Sequence, residues 1–308
     1  MSIITTGNIP SLLRPGLDEI GLDYGRYKAE YAKVFEQFKS FKNEEIDVDI
    51  KSTGYALEKM QGAPIEMDSM GQRFTYQFIH REFGLGFQIT NIAVEDDLYA
   101  DKFYNGTKSL TTSFEQTREV MAMNVFNNAF DRKVTIGDGQ PLCSNAHPYD
   151  GGSYSNLVGN NEFAVDFSEA GVEQAIVLAG RLKDQAGLLI NASIEKLLLP
   201  QELMFSGCRL LESVFRTGTA NNDINAIYNM NAIPQGYIYN HYLTSPTSWF
   251  GLTNIKSTRK HFVRRPLKIN VSTDPLTETM SIMSSGRYSF GVFTPNGVIG
   301  GGSRIIEL

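Results

Sequence analysis

The strongest periodic signal in the chain lies in residues 95–130. Phe103, Leu110, Phe114, Met121, Val125 and Ala129 recur at steps of seven and four, the spacing that lines side chains along one face of a helix. Glu95, Asp96, Asp97 and Asp101 sit where the N-terminal end of a helix dipole favours negative charge. One helix over this stretch would run about 50 Å at 1.5 Å per residue. Gly106 is the one residue that weakens an unbroken rod.

Residues 1–20, punctuated by Gly and Pro, read as an extended arm. Tyr24, Tyr27, Tyr31, Val34, Phe35, Phe38 and Phe41 then follow at helical spacing and predict an aromatic helix. "EEIDVDI" alternates, with Ile46, Val48 and Ile50 on one face and Glu45, Asp47 and Asp49 on the other, as in a half-exposed strand. Residues 53–72 have no clear period. Beyond them Phe74, Tyr76 and Phe78 share one face, and Phe83, Leu85, Phe87 and Ile89 share another; long aromatic strands of this kind fit a hairpin-like excursion. Gly84 and Gly86 mark a bend or a close backbone approach within it.

After the long helix comes "IGDGQPLCSNAHPYDGG", residues 136–152. Asp166 and Glu169 stand at capping-box spacing ahead of Val172, Ile176, Val177 and Leu182, which predicts a second helix. "KLLLP" reads as a short buried strand and "QELMFSGCRLLES" as a helix behind Pro200. Residues 217–275 predict short strands and loops, and "TMSIMSSGRYSFGVFTPNGVIGGG" alternates like a strand or hairpin returning to the body.

A chain of 308 residues with 42% hydrophobic and 20% charged residues is ordinary for one or two globular units. The net charge of −6 argues against a dedicated nucleic-acid binder. Two cysteines, Cys143 and Cys208, make no disulfide framework, so a reducing compartment is expected. The first residues lack a basic start followed by an apolar run, so no secretory signal is expected. No apolar run is long enough to span a membrane. Without a secretory signal, the sequons at Asn105, Asn191 and Asn270 are read as accidental.

The loop at 136–152 is the candidate for chemistry. Cys143 and His147 stand four apart, flanked by Asp138 and Asp150. A structural zinc site needs four Cys or His ligands, and His80, His241, His261 and Cys208 are scattered singly, so no metal is expected. A Cys143 nucleophile with His147 as base remains an alternative, because such partners meet in space rather than in sequence. The turn chemistry of Gly137, Asp138, Gly139 and Pro141 favours a polar turn instead. Neither Gly137-Asp138-Gly139 nor Gly84-Leu85-Gly86 continues to a phosphate-binding fingerprint, and no cofactor is expected. The paired carboxylates Asp96 and Asp97, and Glu44 and Glu45, read as a helix start and a solvated strand. The basic run Lys256, Arg259, Lys260, Arg264, Arg265 and Lys268 suits phosphate or an acidic surface. The acidic overall balance favours a protein surface, such as the Glu44–Asp49 strand of a neighbour.

The order of features resembles the major capsid proteins of tailed bacteriophages, with the Hong Kong 97-like fold, and more narrowly the Mu-like major head subunit family. The stretches that carry the resemblance are "GDGQPLCSNAHP", "KLLLPQEL", "SWFGLTN" and "SGRYSFGVFTPNGVIGG". Gly139, Leu142, Ser144, His147 and Pro148 match a loop that follows the spine helix in that family. The resemblance spans nearly the whole chain. It implies an α+β fold: an N-terminal arm and helix (1–42), an extended β-hairpin loop (43–92), a peripheral domain with the spine helix (93–189), an axial domain (190–275) and C-terminal strands returning to the peripheral domain (276–308). It implies no catalysis. The function would be self-assembly into hexamers and pentamers of an icosahedral shell, with scaffold, portal and decoration proteins as partners and DNA held non-specifically inside. The setting would be the virion, assembled in the host bacterial cytoplasm. A bacterial nanocompartment shell is the alternative of the same fold. Phe74, Tyr76, Phe78, Phe83 and Phe87 are the expected hairpin contacts between subunits, and Arg264 and Arg265 the expected intersubunit charge partners.

Overall fold

The structure, a computed structural model, describes residues 29–90, 92, 100–159, 165–216 and 223–302. The expected arm, the first half of the aromatic helix with Tyr24 and Tyr27, and the acidic start Glu95, Asp96 and Asp97 lie outside the described residues, as do the side chains of Asp101 and Phe103.

A single 3-10 turn at Tyr31–Lys33 is followed by strand β1 (Glu36–Lys39), so the aromatic run does not continue as a helix to Phe41. Tyr31, Val34 and Phe35 are buried, but Phe41 is 82% exposed. An edge position accounts for this: β1 adds in parallel to β10 (Arg259–Asp274), pairing Phe38 with Phe262, and the sheet overrides the helical spacing. β10 returns antiparallel as β11 (Thr279–Val292), which pairs in turn with β4 (Arg81–Thr90), giving the order β1-β10-β11-β4. β10 is one long strand where short elements were expected. Its register shifts on either side of Arg265, next to Pro266, which has no N–H to give the ladder.

The expected hairpin takes a different form. β2 (Glu44–Lys51) pairs with β3 (Gly71–Ile79), whereas β4 leaves β3 at His80 and joins the large sheet. The two aromatic faces therefore belong to different sheets.

The long helix α1 spans Ala100–Asn127, about 42 Å at 1.5 Å per residue. It lies against β11 and β4. Its buried stripe runs through Thr107, Leu110, Thr111, Phe114, Glu115, Arg118, Glu119, Ala122, Met123 and Phe126. That stripe is rotated from the expected one: Met121 and Val125 are only partly buried, and Glu115, Arg118 and Glu119 occupy the middle. Helix α2 (Glu169–Ala179) is capped by Ser168, whose side chain accepts the Gly171 amide, and not by Asp166.

The second sheet has the order β12-β9-β7-β8, from Val298–Gly301, Trp249–Thr253, Ile194–Pro200 and Tyr237–Asn240. Helices α3 (Met204–Glu212) and α4 (Ala226–Asn229) pack together beside it. Leu197, Leu198, Leu199, Trp249 and Phe250 fill its centre. Between α1 and α2, the short strands β5 (His147–Tyr149) and β6 (Gly152–Tyr154) form a small hairpin.

Candidate functional site

The loop after α1 closes on itself through backbone bonds. Ile136 N–H donates to Gln140 O at 2.8 Å, Gly139 N–H donates to Ile136 O at 2.9 Å, and Gly139 adopts φ +79°, which suits glycine. His147, on β5, is fully buried. Its Nδ1 lies 2.6 Å from Asp138 Oδ2 and its Nε2 lies 3.0 Å from Asn156 Oδ1. Asn156 is equally buried and donates through Nδ2 to the carbonyls of Leu142, Pro295 and Val298 at 2.8, 3.1 and 3.0 Å. Its Oδ1 also accepts the Ser144 amide at 2.9 Å. One side chain thus ties the post-helix loop to the turn before β12.

Cys143 belongs to a different environment. Its Sγ packs where a Cβ on Gly300 would approach within 2.6 Å, next to Phe130, and burial pushes its thiol up, towards the neutral form. Both ring nitrogens of His147 are engaged by Asp138 and Asn156. Among the described residues no group of three or more His, Cys, Asp or Glu side chains is arranged to hold a metal.

The outward surfaces depart from expectation. Tyr76 and Phe78 are 3% and 5% exposed and pack with Phe262 inside the subunit, so they offer nothing to a neighbour in this conformation. Phe74 is half-buried beside that cluster, with the Arg73 guanidinium 5.2 Å from its ring. Phe83 stacks on Tyr288 at 4.7 Å, and Phe87 packs partly on Ile89 and Ile282. β2 turns its acidic side inward: Lys260 Nζ lies 2.6 Å from Asp47, and Gln185 Nε2 donates to Asp49 at 2.7 Å. Burial raises the Asp49 carboxyl above its ordinary range. Ile46 and Ile50 face outward.

The expected match between the basic run and the acidic strand therefore exists, but within one subunit. Arg265 is likewise paired internally, 2.5 Å from Glu82, and Arg264 keeps a buried Nε with no hydrogen bond. The base of the β2–β3 ribbon is pinned further by Ser52 to Asp184 at 2.7 Å and by Lys51 to Asp150 at 2.5 Å. Past that base, Tyr55, Leu57, Met60, Ile65, Met67 and Met70 are all exposed. These residues carry no periodicity, and only their apolar content in a segment rich in Gly, Met and small polar residues could have marked them.

Residues 78–300 match the model of the family described as phage capsid protein. The chain belongs to the phage capsid protein family. The fold of this capsid protein is of the Hong Kong 97 type, and solved structures share it. The virus-like particle from Pyrococcus furiosus aligns at TM-score 0.55 and 8% identity, over 93% of this chain and 98% of the other. The Mycobacterium phage Patience structure aligns at TM-score 0.54 and 11% identity, over 94% and 88%. The Microbacterium phage Oxtober96 structure aligns at 0.52 and 9%, over 88% and 89%. The comparison with curated protein sequences returns no match. In this capsid protein the surfaces of interest are those that meet other subunits, and the His147 cluster lies inside the subunit.

Proposed function

We propose that the chain is a tailed-phage major head subunit of the Mu-like lineage that self-assembles, without covalent chemistry, into hexamers and pentamers closing an icosahedral shell. The packaged DNA is held non-specifically. Scaffold, portal and decoration proteins are the further partners, and assembly takes place in the host cytoplasm before the subunit becomes part of the virion. The observation that carries this reading is the β2–β3 ribbon. Its base is fixed by ion pairs, yet Ile46, Ile50 and the apolar residues between 55 and 70 are presented to solvent. Exposed apolar side chains gathered in one segment on a pinned base suit burial against another copy. We hold the subunit to be non-catalytic: a buried thiol pushed towards its neutral form is a poor nucleophile, and His147 is bonded elsewhere.

Electron microscopy of the purified protein tests this, alongside Met60→Asp combined with Met67→Asp. Both methionines are exposed, so the variant keeps its fold and its subunits stay soluble without closing into shells. Normal particles from the variant would refute the role of the ribbon, and wild-type protein that forms neither rings nor shells would refute the assembly reading. Nuclease-protected DNA in particles from cells supports the phage head; an enclosed protein cargo would point to a nanocompartment shell.

A further inference from the structure

We propose that His147 is an imidazolium in the folded subunit, ion-paired with Asp138, and that this buried charge locks the post-helix loop to the C-terminal turn. The argument begins at Asn156. Its Nδ2 faces the carbonyls of Leu142, Pro295 and Val298, which only accept, so the orientation of the amide is set. Its Oδ1 therefore faces both the Ser144 amide and His147 Nε2. An amide oxygen has no hydrogen to give, so Nε2 carries one.

The other ring nitrogen lies 2.6 Å from a carboxylate oxygen. A neutral ring protonated at Nε2 would set a lone pair against that oxygen. The site thus holds one proton more than a neutral imidazole beside a carboxylate. Asp138 Oδ1 accepts the Gln140 amide at 3.0 Å, a bond that favours the carboxylate and leaves the proton on Nδ1.

Full burial disfavours a cation, and the Asp138 carboxylate is the charge that offsets this cost. The ring of Tyr154 on β6 lies 5.6 Å from the imidazole, with Tyr76 on β3 and Asp49 on β2 acting on Tyr154, and Lys183 Nζ donates to the Tyr149 hydroxyl beyond it at 2.9 Å. Asn156 in turn receives the Gly300 amide on its backbone carbonyl at 3.0 Å, so the pair supports the residue on which β12 is hung.

Nitrogen-15 solid-state NMR of sedimented full-length protein, labelled at histidine, tests the proposal. The chain has four histidines. His241, itself exposed and 2.9 Å from Glu30, is removed as His241→Gln. At about pH 8, above the ordinary imidazole range, one remaining histidine shows both nitrogens protonated. Asp138→Asn, whose amide donates to Nδ1, converts that signal to the neutral form protonated at Nε2. Neutral rings throughout the spectrum of the protein with Asp138 intact would overturn the proposal, whether or not Asp138→Asn folds.

Discussion

Replacement of His261 by Phe should remove a defined share of the subunit's acid sensitivity. His261 is 1% exposed on β10, stacked on Phe290 at 4.1 Å and 9°, with Tyr31 at its edge. Its Nε2 has no hydrogen-bond partner. Burial, reinforced by the nearby Arg118 guanidinium, lowers it from 6.5 to about 3. A depressed folded value means that the unfolded chain takes up the proton first. The stability is therefore complete above 6.5 and is lost as pH falls towards 3. The slope is about 1.4 kcal/mol per pH unit, which integrates to roughly 1.9 kcal/mol between about pH 7 and pH 5. Against a total of about 5–15 kcal/mol, that is readily measured by urea unfolding of unassembled subunits. His80, also lowered by burial, adds loss of the same sign but is present in both proteins and cancels in the comparison. Phe keeps the flat ring on Phe290 and cannot titrate. His261→Phe should lose about 2 kcal/mol less than the parent over this interval. An identical loss in both proteins would refute the assignment.

Asn156→Ala strands the Leu142, Pro295 and Val298 carbonyls and the Ser144 amide, and at about 1–3 kcal/mol per unsatisfied buried group the expected loss is about 4 kcal/mol or more. Asn156→Asp, though closer in shape, sets an acceptor against the same carbonyls and should destabilise more; thermal unfolding checks both, and a loss under about 1 kcal/mol for Ala would contradict the hub. Gly291→Ala would bring a Cβ to 2.6 Å from Phe78 Cε1 and should destabilise by about 1–3 kcal/mol, partly relieved by Phe78→Leu in a double-mutant cycle.

The parts of the fold that announce themselves by local periodicity were legible: α1, the strand at 44–51, "KLLLP" and the alternation of β11. What was not legible depends on partners distant in sequence. Phe38 has helical spacing with its neighbours, but β10, more than 200 positions away, recruits it to a sheet edge. Tyr76 and Phe78 look the same whether they face a neighbouring subunit or their own Phe262. Only the bend at His80, held between Ser40 and Ser289 at 2.9 Å each, decides it. In the loop at 136–152, the expected turn is present, and His147 is buried beside it. The residue that gives it meaning is Asn156, which stands in no motif.

The middle of α1 shows why apolar period alone misplaced a helix face that was otherwise detected. Glu115, Arg118 and Glu119 continue the phase of Leu110 and Phe114 into Ala122, Met123 and Phe126, so the stripe is continuous in geometry and broken only in chemistry. Such residues are tolerated inside because distant elements satisfy them. Arg118 donates to Glu115 at 2.9 Å and to the Tyr31 hydroxyl at 3.0 Å, and Glu119 accepts the backbone amides of Glu30 and Tyr31 and the Asn240 side chain. Burial raises both carboxyls, as it must for groups taken out of water. An apolar side chain at 119 would leave the Glu30 and Tyr31 amides without their acceptor. The polar break in the stripe is therefore the point where the N-terminal segment and the second sheet are both fastened to the helix.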